Sequence, residues 1–217
     1  MPLLSSQPRP VRPASRHAEL ASHLAPSAVR RARRVKLLIF DVDGVLTDGS
    51  LWFFPLGPQA ADPGARPAET MVEVKAFSAH DGIGFAVART AGLATGLITK
   101  RMSQSLARRA GDLHLDFVRQ GVEQKGEAVA EILRAKNLAA EEVGAMGDDI
   151  IDLPMLRACG FAAAPANARR EVRAAAHFVA RHSGGAGAAR DCIEFVLRAQ
   201  NRWQAAIAEY LRLPGRG

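Results

Sequence analysis

The chain has 217 residues, 48% of them hydrophobic, enough for one ordinary domain with a sizeable core and some extension. No stretch approaches the roughly 18 consecutive apolar residues that span a bilayer, and the opening MPLLSSQPRPVRP is too short in apolar residues for a secretory signal. The net charge of +7 is unevenly spread: residues 1–34 carry seven arginines against Glu19, a net of +6, leaving 22 basic and 21 acidic residues in 35–217. The body is therefore nearly neutral, and with no aromatic interleaving or recognisable binding fold the charge argues against a nucleic-acid binder. Cys159 and Cys192 have neither metal-ligand spacing nor a disulfide framework. They read as small buried side chains in a reducing cytoplasm.

Residues 1–34, rich in Arg, Ser, Ala and Pro, are expected to form a disordered, solvated extension, with an organelle transit peptide as the alternative. Order is expected from VKLLIF (35–40), a continuous apolar run suited to a buried parallel strand. A polar, glycine-containing turn follows, DVDGVLTDGS (41–50). SLWFF (50–54) and MVEVKAF (71–77) then read as a β-hairpin flap across about 50–77, with a Pro/Gly-rich tip between them. IGFAVARTA (83–91) has helical spacing and LATGLI (93–98) reads as a second buried strand. Beyond it come helices over SQSLARRAG and 125–136, strands at LDFV, VGAM, GFAAA and HFVA, and a final helix from about 188 to 211. Alternating strands and helices imply an α/β, doubly wound (Rossmann-like) parallel sheet sandwich spanning 35–203, with 204–217 as helix end and tail.

In such sheets ligands bind beyond the carboxyl ends of the strands, and three of those ends carry reactive side chains. Asp41 and Asp43 follow the first strand, Thr99 the second, and Asp148 and Asp149 follow VGAM, with Lys125 opening a helix in between. Any one of them reads equally well as a helix cap; together, in this order, they suit phosphate-ester cleavage. A carboxylate is already ionised at neutral pH, so Asp41 needs no base to attack phosphorus. An anion attacking an anion requires a cation, and Asp41 with Asp148 offers the hard oxygen ligands that magnesium prefers. Asp43 is two residues on, placed to protonate the leaving alkoxide and later to activate water. Lys125 and the Thr99 hydroxyl suit the phosphoryl oxygens.

DVDGVLTDG, ITKR, Lys125 and GDDIID resemble the four motifs of the haloacid dehalogenase-like phosphatases. The resemblance implies Asp41 as nucleophile, Asp43 as acid/base with its carbonyl a metal ligand, Thr99 and Lys125 on phosphate, and Asp148 on Mg2+. It implies that Asp149 and Asp152 support the metal and its waters. VKAFSAHDGIG, TGLITKR, GDDIIDLPML, GGAGAARD and VLRAQNRW narrow the likeness to the 3-deoxy-D-manno-octulosonate 8-phosphate phosphatase branch. That branch implies a sugar-acid phosphate substrate, a homotetramer and no cap domain; the short spacing from Asp41 to Thr99 and from Thr99 to Lys125 independently leaves no room for a cap. A sister branch acting on nine-carbon ulosonate 9-phosphates is the nearest alternative, and a non-catalytic phosphatase-like oligomerisation module is the alternative of a different class.

Three positions depart from the branch: Lys100 stands where it has Gly, Ala186 where it has Arg, and the tip at 55–70 is longer. Lys100 and Arg101 are candidate substrate contacts, as is Asp81, which otherwise caps a helix beginning near Ile83. His80 is a weaker candidate beside it. Gly184-Gly185-Ala186-Gly187 reads either as an anion-binding loop or as a plain turn. Trp52, Phe53 and Phe54 read as an interface rather than a sugar grip.

Overall fold

The computed structural model describes residues 26–55 and 71–213. Six parallel strands form the central sheet: β1 (Leu37–Phe40), β4 (Ala94–Ile98), β5 (Phe117–Arg119), β6 (Val143–Met146), β7 (Phe161–Ala164) and β8 (Phe178–Val179). Their order is β5-β4-β1-β6-β7-β8, so the chain works outward on one side of β1 and then returns to the other. The reversal lies between β1 and β6, where a doubly wound sheet opens its crevice.

β1 shows why the pattern needs two helical layers. All four of its side chains are fully buried, and alternation sends Leu38 and Phe40 into one core, Leu37 and Ile39 into the other. The first core is closed by α1 (Pro26–Ala32), α2 (Ala79–Thr90), α3 (Gln104–Leu113), α7 (Ala188–Ala199) and α8 (Trp203–Arg212). The second is closed by α4 (Lys125–Lys136), α5 (Leu153–Ala158) and α6 (Arg170–Ala175). Cys159 and Cys192 are buried and unpaired, as expected, and burial pushes the Cys159 thiol up to about 12.

β2 (Trp52–Pro55) and β3 (Met71–Val74) pair antiparallel as a separate two-stranded sheet, Trp52 opposite Val74 and Phe54 opposite Val72. The Ser105 hydroxyl donates to the Glu73 carbonyl at 2.8 Å and ties this flap to α3. The extended tip falls on residues 56–70, outside the described residues, as do the expectations for 1–25 and 214–217.

Three elements differ from the sequence reading. Residues 26–34 are folded: Ala28 and Ala32, four apart, bury a small-residue stripe in the core while Arg31 donates to the Gly160 carbonyl at 2.8 Å and Arg33 to that of Ala199 at 3.1 Å. An arginine-rich composition masked that stripe. The C-terminal helix is two helices, because Asn201 adopts the left-handed conformation (φ 57°) and redirects the chain. Finally, α2 begins at Ala79 rather than near Ile83, with the Ser78 hydroxyl as its cap, accepting from the His80 N–H.

Candidate active site

At the carboxyl end of β1 the ladder continues one residue, the Asp41 N–H donating to the Met146 carbonyl at 2.9 Å. This holds Asp41, only 4% exposed, against β6. The chain then folds tightly, the Val45, Leu46 and Thr47 N–H groups all donating to the Val42 carbonyl. Gly44 makes this turn with φ 88°, and a Cβ there would stand 2.1 Å from an Asp148 carboxylate oxygen. The loop after β1 and the loop after β6 therefore meet because residue 44 has no side chain.

Lys125, the first residue of α4 and 3% exposed, reaches into this meeting point. Its ammonium lies 2.7 Å from Asp41 Oδ1 and 2.6 Å from Asp152 Oδ1. The other Asp152 oxygen accepts from the N–H groups of Asp148 (2.9 Å) and Asp149 (3.2 Å). Both Asp152 oxygens are thus committed: it fixes Lys125 and the turn carrying Asp148. The Asp149 carboxylate caps that turn, accepting from the Ile150 N–H at 2.7 Å.

Asp41, Asp148 and Asp152 place carboxylate oxygens within 4.8 Å of one another. Asp148 Oδ1 is buried and has no hydrogen-bond partner. Burial, with Asp152 adding repulsion, pushes the Asp41 carboxyl up to about 7 against the pull of Lys125. Burial, then Asp152 and Asp149, pushes Asp148 up to about 7 as well. Burial opposes charge on Lys125, but Asp41 and Asp152 outweigh it and raise its pKa, keeping it an ammonium. Three carboxylates against one ammonium, one of them with an orphaned oxygen, suit a hard divalent cation held by Asp41 and Asp148.

Thr99, 2% exposed, follows β4 beside this cluster, its hydroxyl accepting from the Arg101 N–H at 3.3 Å. Asp43 is half-buried and faces cations from two elements: the Lys75 ammonium just beyond β3, and Arg101, whose Nε is 3.8 Å from Asp43 Oδ2. Glu73 joins both, its oxygens 3.2 Å from Lys75 and 2.5 Å from Arg101. Burial pushes the Glu73 carboxyl up, but hydrogen bonds from Arg101 and Lys75 prevail and hold it below its ordinary value. Lys75 and Glu73 received no role from sequence reasoning. The signal was the two-residue spacing of Glu73 and Lys75 in MVEVK, which puts both on one face of the strand.

The remaining candidates are engaged with other partners or exposed. Lys100 is exposed and pairs with Glu123 at 2.8 Å, and His80 is exposed on α2. Asp81 is buried in the first turn of α2, where it accepts from the Arg190 N–H at 2.9 Å. Arg190 is the third residue of α7, whose own N-cap, Gly187, supplies no side chain; Asp81 caps that helix from across the core. The glycine loop before α7 packs backbone to backbone on the loop after β1: Gly185 N–H donates to the Val45 carbonyl at 3.0 Å, and a Cβ on Gly184 would stand 1.8 Å from the Gly44 carbonyl oxygen. A concavity of about 1000 Å³ is lined by Arg33, Arg34, Lys36, Gln200 and Arg202 among others, at the opposite, amino end of the strands. None of Asp41, Asp43, Thr99, Lys125 and Asp148 lines it.

With this geometry in place, comparison with known proteins is specific. Residues 95–190 match the haloacid dehalogenase-like hydrolase family. The chain is 33% identical over 183 residues to the 3-deoxy-D-manno-octulosonate 8-phosphate phosphatase of Yersinia pestis, covering 84% of this chain and 90% of that one. It is 32% identical to the same enzyme of Escherichia coli K12, covering 87% and 95%. A crystal structure of the Moraxella catarrhalis enzyme in complex with magnesium ion, phosphate ion and a KDO molecule aligns with TM-score 0.73 at 30% identity, covering 83% of this chain and 96% of that one.

Proposed function

The chain belongs to the haloacid dehalogenase-like hydrolases and hydrolyses a phosphomonoester, and from that premise we propose a magnesium-dependent phosphatase of 3-deoxy-D-manno-octulosonate 8-phosphate. The observation that carries the reading is the Asp41 carboxylate at the end of β1, held by Lys125 beside the unpartnered Asp148 oxygen. Asp41 and Asp148, with the Asp43 carbonyl, would hold the magnesium. When bound, the ion neutralises phosphoryl charge that would otherwise repel the nucleophile.

Asp41 Oδ attacks phosphorus as the bond from phosphorus to the sugar oxygen breaks, and Asp43 gives its proton to the departing alkoxide. Asp43, now a carboxylate, takes a proton from water, whose oxygen attacks the aspartyl phosphate and frees Asp41. Lys125 stays charged throughout, fixing the nucleophile and, with the Thr99 hydroxyl, meeting the phosphoryl oxygens. Lysine in place of any weaker cation matters here, because its pKa is raised and proton loss at working pH is negligible.

The eight-carbon acid is supported by the names of the relatives and by the sugar acid in the Moraxella catarrhalis complex. Arg101 stands at the mouth of the site to meet an anionic substrate, whereas Lys100 is engaged with Glu123. The hairpin exposes Trp52, Phe53 and Phe54 on β2 and Met71, Val72 and Val74 on β3, more apolar surface than an isolated ribbon sustains in water. We assign that surface to homotetramer assembly. Among the described residues no helix is long and apolar enough to cross a membrane, in keeping with a cytoplasmic enzyme.

The test is phosphate release from sugar phosphates with and without a carboxylate, in magnesium and in excess chelator. Ulosonate 8-phosphates should turn over much faster than hexose phosphates, and chelator should stop both. Preference for neutral sugars, or for nine-carbon 9-phosphates, would overturn the substrate.

A further inference from the structure

We propose that Lys75 is a positioning residue for Asp43, delivered by the hairpin, so that the flap completes the acid/base half of the site. The proposal rests on the acid/base reading of Asp43. The Lys75 side chain is 1% exposed, although a lysine beside a surface strand can ordinarily carry its ammonium to water. It is instead turned inward onto two carboxylates, Asp43 from the loop after β1 and Glu73 from its own strand. Arg101 closes the group from the loop after β4, reaching Glu73 at 2.5 Å and Asp43 at 3.8 Å. Two cations, tied together by the Glu73 carboxylate and drawn from two separate segments, thus face the one side chain that must transfer a proton in both half-reactions.

The arrangement fixes Asp43 in direction. Its neighbour in the loop, Thr47, offers only a long contact of 3.5 Å from its hydroxyl to Asp43 Oδ1, too weak to set the carboxylate rotamer. Lys75 makes the closest contact to that same oxygen. The second oxygen is left to Arg101 at 3.8 Å, beyond hydrogen-bond reach and open to a substrate oxygen. Glu73 in turn holds Lys75 and is itself anchored, through its carbonyl, by the Ser105 hydroxyl on α3. Docking the flap would have no need of Asp43, since Glu73 already ties it to Arg101 through its carboxylate and to Ser105 through its carbonyl.

The test uses two esters whose need for an acid differs: a sugar phosphate, with a poor alkoxide leaving group, and p-nitrophenyl phosphate, with a good one. In Lys75→Met, turnover of the sugar phosphate should fall by about 100-fold, the usual cost of a misplaced group. First-turnover release of p-nitrophenol should stay near the wild-type rate. Lys75→Arg should restore much of the loss, and Asp43→Asn combined with Lys75→Met should be no slower than Asp43→Asn alone. Equal slowing of both esters, losses that multiply with Asp43→Asn, or wild-type turnover in Lys75→Met would each overturn the proposal. Thermal melting checks the fold; if Lys75→Met is not folded, Glu73→Gln, which loosens Lys75 and Arg101 together, is read by the same criteria. Full turnover by Asp43→Asn alone would instead reject the acid/base reading, independently of any Lys75 variant.

Discussion

Asp41 and Asp148 carry opposite obligations: the proposed mechanism needs each as an anion, and each is buried where an anion is unwelcome. Their carboxyls are raised from 3.8 to about 7. The folded chain therefore retains protons that the unfolded chain releases, and this favours the fold fully below about 4 and is lost as pH rises through about 7. Metal-free protein should accordingly lose melting temperature between pH 5 and 8. Magnesium should raise the melting temperature more at pH 8 than at pH 6, because it competes with protons for the same oxygens. Asp148→Asn should raise the metal-free melting temperature at pH 8, weaken its decline with pH, and abolish phosphatase activity; differential scanning calorimetry with and without magnesium reads the first two effects. Asp41→Asn should leave the fold intact and reduce turnover to background, since an amide does not attack phosphorus. Asp43→Asn should leave phosphate on Asp41, detectable by mass spectrometry of the intact protein.

Secondary-structure elements are tied here by groups that belong to neither one alone. Asp81 sits in the first turn of α2 yet caps α7 through Arg190. Burial pushes its carboxyl above the ordinary value, and the Arg190 and Gly187 N–H groups offset part of that cost. Asp81→Ala should therefore lower stability by about 1 kcal/mol, as loss of an N-cap does, while KM changes little; a raised KM at unchanged melting temperature would instead mark a substrate contact. α7 follows directly on the glycine loop that packs against the loop after β1. Gly184→Ala would drive a methyl group into the Gly44 carbonyl, so the loop bearing Asp43 must shift. Loss of kcat exceeding that of Asp81→Ala is expected, measured alongside the melting temperature.

For the whole molecule, the proposed homotetramer would make the hairpin a joint between assembly and chemistry. The hairpin's apolar side chains Trp52, Phe53, Phe54, Val72 and Val74 are exposed, while Lys75 reaches Asp43 and Glu73 reaches Arg101. Open strand edges and apolar surface favour pairing with further copies of the chain. Trp52→Ser with Phe54→Ser should dissociate the assembly and depress activity together, by light scattering and phosphate release on the same samples. A monomeric wild type with full activity would separate the two.

The sheet, its helices and the loops carrying Asp41, Asp43, Thr99, Lys125 and Asp148 were legible in the chain because each rests on local information. A buried strand is an unbroken apolar run, a flap is two β-like stretches around a Pro/Gly-rich tip, and a reactive residue follows directly on the strand that presents it. What was not legible depends on residues distant in sequence. Ala28 and Ala32 are unremarkable until α7 lies against them, and Asn201 breaks a helix that its neighbours would continue. Asp81 read as the cap of the nearest helix, but the N-terminus it serves is that of α7, some 109 residues away along the chain. Lys75 received no role, because the spacing that puts it on one face with Glu73 does not announce that Asp43, 32 residues earlier, will be its partner. Periodicity and turn chemistry are written into neighbouring residues, and so the sequence by itself determined the fold class and which residues stand at the carboxyl ends of its strands. Which charges meet is decided by packing, and only the tertiary structure brought Lys75 and Glu73 to Asp43 and Arg101 and paired Lys100 with Glu123.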